Sequence, residues 1–124
     1  MSEGQLAIAF IGLNAGAIVG LQLGGIIVPH SGSRRALFIA IPVFAGALLA
    51  PGVASSAGVL VAALFLFSVA NSVVDVAMNA QGVAVERAYG RPALSGMHAM
   101  HSLGGIVGAV AGAAAARLSV DPLI

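Results

Sequence analysis

Apolar residues dominate this chain in four long stretches, separated by short clusters of polar residues, glycine and proline. The first stretch covers about 5–28 and carries no charge. Ser2-Glu3-Gly4-Gln5 at its start has the S-x-x-Q spacing of a helix capping box. Pro29 closes it, and His30-Ser31-Gly32-Ser33-Arg34-Arg35 reads as a tight loop. The second stretch covers about 36–53. Its uninterrupted apolar part stops at Ala50, which is short against the roughly 20 residues of a spanning helix. Snorkelling of Arg34 and Arg35 makes up the length. Pro42 is expected to kink this helix and Pro51-Gly52 to end it. The third stretch, about 57–85, follows Ser55-Ser56, both good N-cap residues. Glu86-Arg87-Ala88-Tyr89-Gly90-Arg91 reads as a loop. Pro92 suits the first turn of a fourth helix over about 92–116.

Composition assigns these helices to lipid. The 124 residues are 60% hydrophobic and 7% charged, whereas roughly a quarter of an average soluble chain is charged. The expected fold is therefore all-α and integral to the membrane, with four transmembrane helices and the lipid bilayer as its surroundings. The chain has no cysteine, which excludes a disulfide framework and a thiolate metal site. The five arginines are scattered through short segments and form no basic face, so nucleic acid is not an expected partner. No positive n-region marks a cleavable signal. With no tryptophan and only Tyr89 as tyrosine, the interfacial aromatic belt is thin.

Arginine placement predicts orientation. Arg34 and Arg35 follow the first helix, and Arg87 and Arg91 follow the third. In a four-helix topology those two connections share a side. The connection from Pro51 to Ala57 is uncharged. The arginine-bearing side is therefore expected in the cytoplasm, with both termini outward and Arg117 alone against. Inner-membrane localisation follows. An even number of helices with an outward N-terminus and no signal is what loss of a preceding helix would leave, so a fragment is expected.

Two helices carry glycine ladders: Gly12, Gly16, Gly20 and Gly24 in the first, and Gly104, Gly108 and Gly112 in the fourth. Small residues four apart let another helix approach closely. Helix packing is the expected role, ahead of solute passage along a smooth face. Neither ladder follows a strand, so neither reads as a dinucleotide site.

The polar residues within the apolar stretches carry the candidate chemistry. Asp75 is the only charged residue between Ala36 and Val85. An ionised carboxylate at a helix centre costs roughly 2.5–3.5 kcal/mol on insertion scales, so such a residue is expected to face a polar cavity and act there. At about 100° per residue, Asn71, Asp75 and Asn79 share an arc with Ser68 and Gly82. Asp75 is a candidate for binding solute or carrying a proton. The plainer role is a hydrogen bond to a neighbouring helix. Ser95, His98, Ser102 and Gly105 form a second polar face. His98 is a candidate proton relay or ligand contact, again with an interhelical hydrogen bond as the plainer role. His98 and His101 lack further ligands at suitable spacing, so no metal is expected. Asn14 and Gln22 share a face of the first helix, and Gln81 reads as an interhelical hydrogen bonder. No nucleophile elbow or oxyanion loop accompanies Ser95, His98 and Asp75, so an enzyme is not expected, nor is a cofactor.

The string from Asn71 to Gly105 resembles the fourth and fifth helices of the major facilitator superfamily, most closely its YbjJ-like branch near the fucose permeases. That branch shows a similar N-x3-D-x-x-M-N turn, here Asn71, Asp75, Met78 and Asn79. Its V-E-R and G-R-P steps match Val85, Glu86 and Arg87, then Gly90, Arg91 and Pro92. Its S-G-x-H-A-x-x-S-L-G-G run matches Ser95, Gly96, His98, Ala99, Ser102, Leu103, Gly104 and Gly105. The superfamily's cytoplasmic loop signature, G-x-x-x-D-[RK]-x-G-[RK]-[RK], is similar to the segment holding Gly25, Gly32, Arg34 and Arg35. Pro29, His30 and Ser33 depart from it. Pro29 replaces an acid whose charge pairs help hold one conformational state in the family.

The resemblance implies helices two to five of a twelve-helix major facilitator fold, in which one six-helix half rocks against the other around a midplane site. The missing helices and the other half are the implied partners. They would also supply the helices that meet both glycine ladders. The implied function is secondary active transport, symport with protons, of a small polar solute such as a sugar. Asp75 would be the coupling or binding acid, Asn71 and Asn79 the cavity amides, and His98 a substrate or relay residue. Two other readings are a complete four-helix exporter of the small multidrug type acting as a dimer, and a non-catalytic membrane subunit that docks through its glycines.

Overall fold

In the hydrocarbon layer no water pairs with backbone amides, so long apolar stretches close their hydrogen bonds internally as helices. The computed structural model describes residues 3–118, and these form α1 (Glu3–Ser31), α2 (Ser33–Leu49), a 3-10 turn (Ala50–Val53), α3 (Ala57–Tyr89) and α4 (Leu94–Arg117). No strand occurs among the described residues. All four helical spans are long and apolar enough to cross a membrane. The protein is thus all-α and multi-pass. Ser2 of the expected capping box lies outside the described residues.

Helix ends differ from the sequence expectation, for identifiable reasons. Pro29 does not end α1. Pro29 removes one backbone bond, to the Gly25 carbonyl, while side chains contact the next two carbonyls. His30 Nδ1 lies 2.7 Å from the Ile26 oxygen, and the Ser31 hydroxyl donates to Ile27 at 2.9 Å. The expected six-residue loop shrinks to Gly32, whose φ of 82° suits a residue without a Cβ. Its N–H donates to Val28 at 2.9 Å, and its carbonyl accepts from Ala36 at 3.0 Å. Arg34 and Arg35 consequently sit in the first turn of α2 and not in a loop. α2 continues through Pro42, and with the 3-10 turn it reaches 21 residues, a spanning length. α3 runs on to Tyr89, taking Glu86 and Arg87 into the helix, and α4 begins two residues after Pro92.

The chain divides into two compact units, one ending at Gln81 and the other beginning at Gly82. In the first unit α1 lies directly on α3. Gly12, Gly16, Gly20 and Gly24 are buried. A methyl group at Gly12 would stand 2.9 Å from Val61 Cγ1, and one at Gly16 would collide with the Phe65 carbonyl oxygen. At Gly20 it would meet the Val69 oxygen at 2.5 Å and Ser72 Cβ at 2.7 Å, and at Gly24 it would meet Val76 Cβ at 2.9 Å. The first ladder therefore has its partner inside this chain, contrary to the expectation that a missing helix supplies it. Without a hydrophobic driving force in lipid, such backbone-to-backbone approach is what gains dispersion energy.

α2 closes against the C-terminal part of this pair. Val28, Ala36 and Ala77 form a small core flanked by Leu37, Val76 and Ala80. The Ser33 hydroxyl donates to Gln81 Oε1 at 2.7 Å, an interhelical bond of the kind expected for Gln81. Toward the other end, the Phe44 and Phe67 rings lie 5.3 Å apart, a favourable separation for an aromatic pair.

The glycine contact predicts a contrast between two substitutions. Gly16→Ala should lower stability by about 1–3 kcal/mol, the usual cost of overpacking. Gly25→Ala, with nothing within 4 Å of the added methyl, should not lower it and should raise it by up to about 1 kcal/mol, the helix-propensity gain over glycine. Equilibrium unfolding of the chain in mixed micelles distinguishes the two.

Candidate functional site

The side of α3 that meets α1 is set by Val61, Phe65, Val69, Ser72 and Val76. The side turned to α2 includes Ala70, Val73 and Ala77. At about 100° per residue, Asp75 lies about 80° from the first direction and about 160° from the second. Asp75 is accordingly exposed, while Asn71 and Asn79 on the same arc are half-buried. Packing of α1 and α2 thus leaves the acid on a face that neither helix covers.

Along that face the polar groups are joined unevenly. The Asn79 amide nitrogen donates to the Asp75 backbone oxygen at 2.9 Å and lies 3.4 Å from its carboxylate Oδ1. The short bond is to the backbone, which pins the Asn79 side chain over Asp75. The longer contact leaves most acceptor positions of the carboxylate open. Asn71, one turn earlier, makes no hydrogen bond within the described residues. Its amide therefore offers both donors and acceptor to whatever lies against this face.

The ends of the expected arc are not part of the open surface. Ser68 is 5% exposed. Gly82, in the second unit, is covered by Leu94, whose Cδ1 would lie 2.5 Å from a methyl group there. Ser72, 7% exposed and packed on Gly20, was not singled out from sequence. Its signal was its place one turn from Ser68, on the side that an approaching glycine helix requires to be small. Asn14 turns to its own helix, donating to the Phe10 carbonyl at 2.7 Å, and Gln22 is exposed.

The second unit holds the other candidates. His98, His101, Ser95, Ser102 and Gly105 are all exposed on α4. Gly104, Gly108 and Gly112 have nothing within 4 Å of an added methyl. Asp75 and Asn79 are brought together by α3, with Asn71 on the same face. His98 belongs to the other unit.

Glu86 has a role that sequence spacing did not expose. Its Oε1 accepts hydrogen bonds from the Ala93 and Leu94 amides, at 2.8 and 2.9 Å. The first turn of α4 lacks a side-chain cap from its own N-cap residue, and Glu86 supplies one from the preceding helix. A carboxylate is favoured there because helix N-termini carry partial positive charge. The return is made at Gly90, whose φ of 63° is left-handed and whose N–H donates to Glu86 O at 2.8 Å. The steps Val85-Glu86-Arg87 and Gly90-Arg91-Pro92 thus form one structural unit, a clamp across the α3–α4 turn.

At the α1–α2 turn, Gly25 is exposed and Arg34 lies over the Phe38 ring at 5.8 Å from its centroid. This is within range of a cation–π contact. Among the described residues no carboxylate pairs with Arg34 or Arg35.

Comparisons with known proteins add relatives of greater length. The chain is 32% identical over 123 residues to an uncharacterized MFS-type transporter of Yersinia pestis, covering 99% of this chain and 32% of that one. It is 34% identical over 113 residues to an uncharacterized transporter of Sinorhizobium fredii, covering 90% and 30% respectively. The chain spans about a third of the length of these curated relatives. No family model matches the chain, and no solved structure matches it significantly.

The clamp predicts a local effect. Glu86→Ala should speed hydrogen exchange at the Ala93 and Leu94 amides. Glu86→Gln, which keeps an acceptor oxygen, should restore most of the protection. Site-resolved exchange in detergent micelles reads both.

Proposed function

We propose that this chain is part of a major facilitator superfamily transporter, and that its α3 contributes the acid of a solute and proton site. The observation that carries this reading is similarity over 99% of the chain to an MFS-type transporter, a third of whose length it spans. The exposed face of Asp75, Asn71 and Asn79 supports it. A carboxylate on a lipid-spanning helix is tolerated when it lines a polar cavity, and such acids commonly relay protons in transporters. The rest of the transporter would form the other walls of that cavity.

In this reading the protein belongs to the cell inner membrane and moves a small polar solute, a sugar being the class implied by resemblance. Asn71 and Asn79 each combine donor and acceptor atoms, which suits hydroxyl-bearing solutes. Asp75 accepts a proton from one side and releases it to the other as the cavity changes access. His98 is a second contact with solute or proton. The charge pairs of the family's loop signature are not available in the same form, because Pro29 stands at the acidic position.

The test uses the whole transporter that contains this chain, reconstituted in vesicles with an imposed proton gradient and a panel of radiolabelled sugars and polyols. The wild type should accumulate one of them above its outside concentration. Asp75→Asn should reduce accumulation to the level reached without a gradient. Accumulation by Asp75→Asn equal to wild type would remove the coupling role.

A further inference from the structure

We propose that the first unit binds one anionic phospholipid, with an acyl chain in the groove between α1, α2 and α3 and its headgroup at Arg35. The groove has a volume of about 440 Å³. Its walls include Ile27 and Ser31 of α1, Ile39, Ala40 and Val43 of α2, and Val69 of α3. It exists because alanines at 36, 40, 47 and 70 meet where larger side chains would fill the space. Among its lining residues only Ser31 is polar, and that hydroxyl donates to Ile27 within its own helix. The groove therefore offers dispersion contact and no hydrogen-bonding partner, which suits a hydrocarbon chain and not the polar solute of the Asp75 face.

Its length separates an acyl chain from a helix as occupant. The α2 wall runs from Ala36 to Ala47, about 17 Å at the helical rise of about 1.5 Å per residue. A bilayer's hydrocarbon core is about 30 Å thick, so the groove matches one leaflet and not a full crossing. One end lies at the Gly32 turn, beside Ser31 and Ala36. That is headgroup depth for the leaflet on the arginine-bearing side.

Charge at this end selects the headgroup. Arg35 lies about 40° round α2 from Ile39 of the groove wall, and as a residue of the first turn its side chain leans toward the helix start. It is exposed and has no acid partner among the described residues. Arg34 points elsewhere, over Phe38 beside a second groove. A basic residue at this depth, just outside one edge of an acyl-sized groove, is complementary to an anionic phospholipid.

Native mass spectrometry of the chain released from nanodiscs of equal phosphatidylglycerol and phosphatidylcholine tests this. The wild type should retain one lipid, enriched in phosphatidylglycerol. Arg35→Gln should lower that enrichment about fivefold, as expected for one arginine near an anionic surface. Val43→Trp, and separately Ile39→Trp, should reduce retention of both lipids by filling the groove. Both positions are exposed, at 57% and 68%, so neither change disturbs the helix contacts. Equal retention of the two lipids by wild type would overturn the proposal. So would enrichment that survives Arg35→Gln, unchanged retention in both tryptophan variants, or a second copy of the chain retained in place of lipid.

Discussion

The close approach of α1 to α3 through Gly12, Gly16, Gly20 and Gly24 is the constraint on which the first unit depends. It brings the α1 backbone so near α3 that added methyl groups would touch carbonyl oxygens and Cβ atoms. Helices in lipid gain nothing from excluding water, so contact area at short range decides which faces meet. Once these faces are committed, α3 has little freedom to rotate. α2 then closes on it through Val28, Ala36 and Ala77 and through the bond from Ser33 to Gln81.

The fixed rotation of α3 is what gives Asp75 its position. The acid lies away from both neighbouring helices, one turn from the half-buried Asn71 and held close to Asn79. A packing constraint on one side of a helix thereby sets the chemistry presented on another. The apolar groove and the polar face are separated for the same reason. The groove follows the alanine-rich side turned to α2, and Asp75 falls outside it. The two surfaces suit different molecules, a hydrocarbon chain and a polar solute.

Much of this was legible in the sequence, where the signal was periodic or costly. Four apolar stretches set the number of helices, and the lone acid within the third marks the candidate site. The glycine ladder announced a close contact, but spacing alone does not name the opposite helix. Resemblance placed that helix outside the chain, whereas the first ladder meets α3. Pro29 misled because the bond it removes is followed by side-chain contacts from His30 and Ser31 to the next two carbonyls, and the helix runs to Ser31. Glu86 was hidden for a different reason. Its cap reaches seven and eight residues ahead, across the left-handed Gly90, and no helical or strand period links those positions.

α1 meets the Val76 side of α3 and leaves the Asp75 side open. Cysteine pairs test this directly, because the chain contains no cysteine of its own. A methyl group at Gly24 would lie 2.9 Å from Val76 Cβ, and a disulfide needs Cβ atoms roughly 3.5–4.5 Å apart, so a small relaxation allows the bond. With mild oxidant in membranes, the pair Gly24→Cys and Val76→Cys should crosslink within one chain, while Gly24→Cys with Asp75→Cys should not. Preferential crosslinking of the Asp75 pair would mean that α1 covers the acid and that the Val76 side is not its contact.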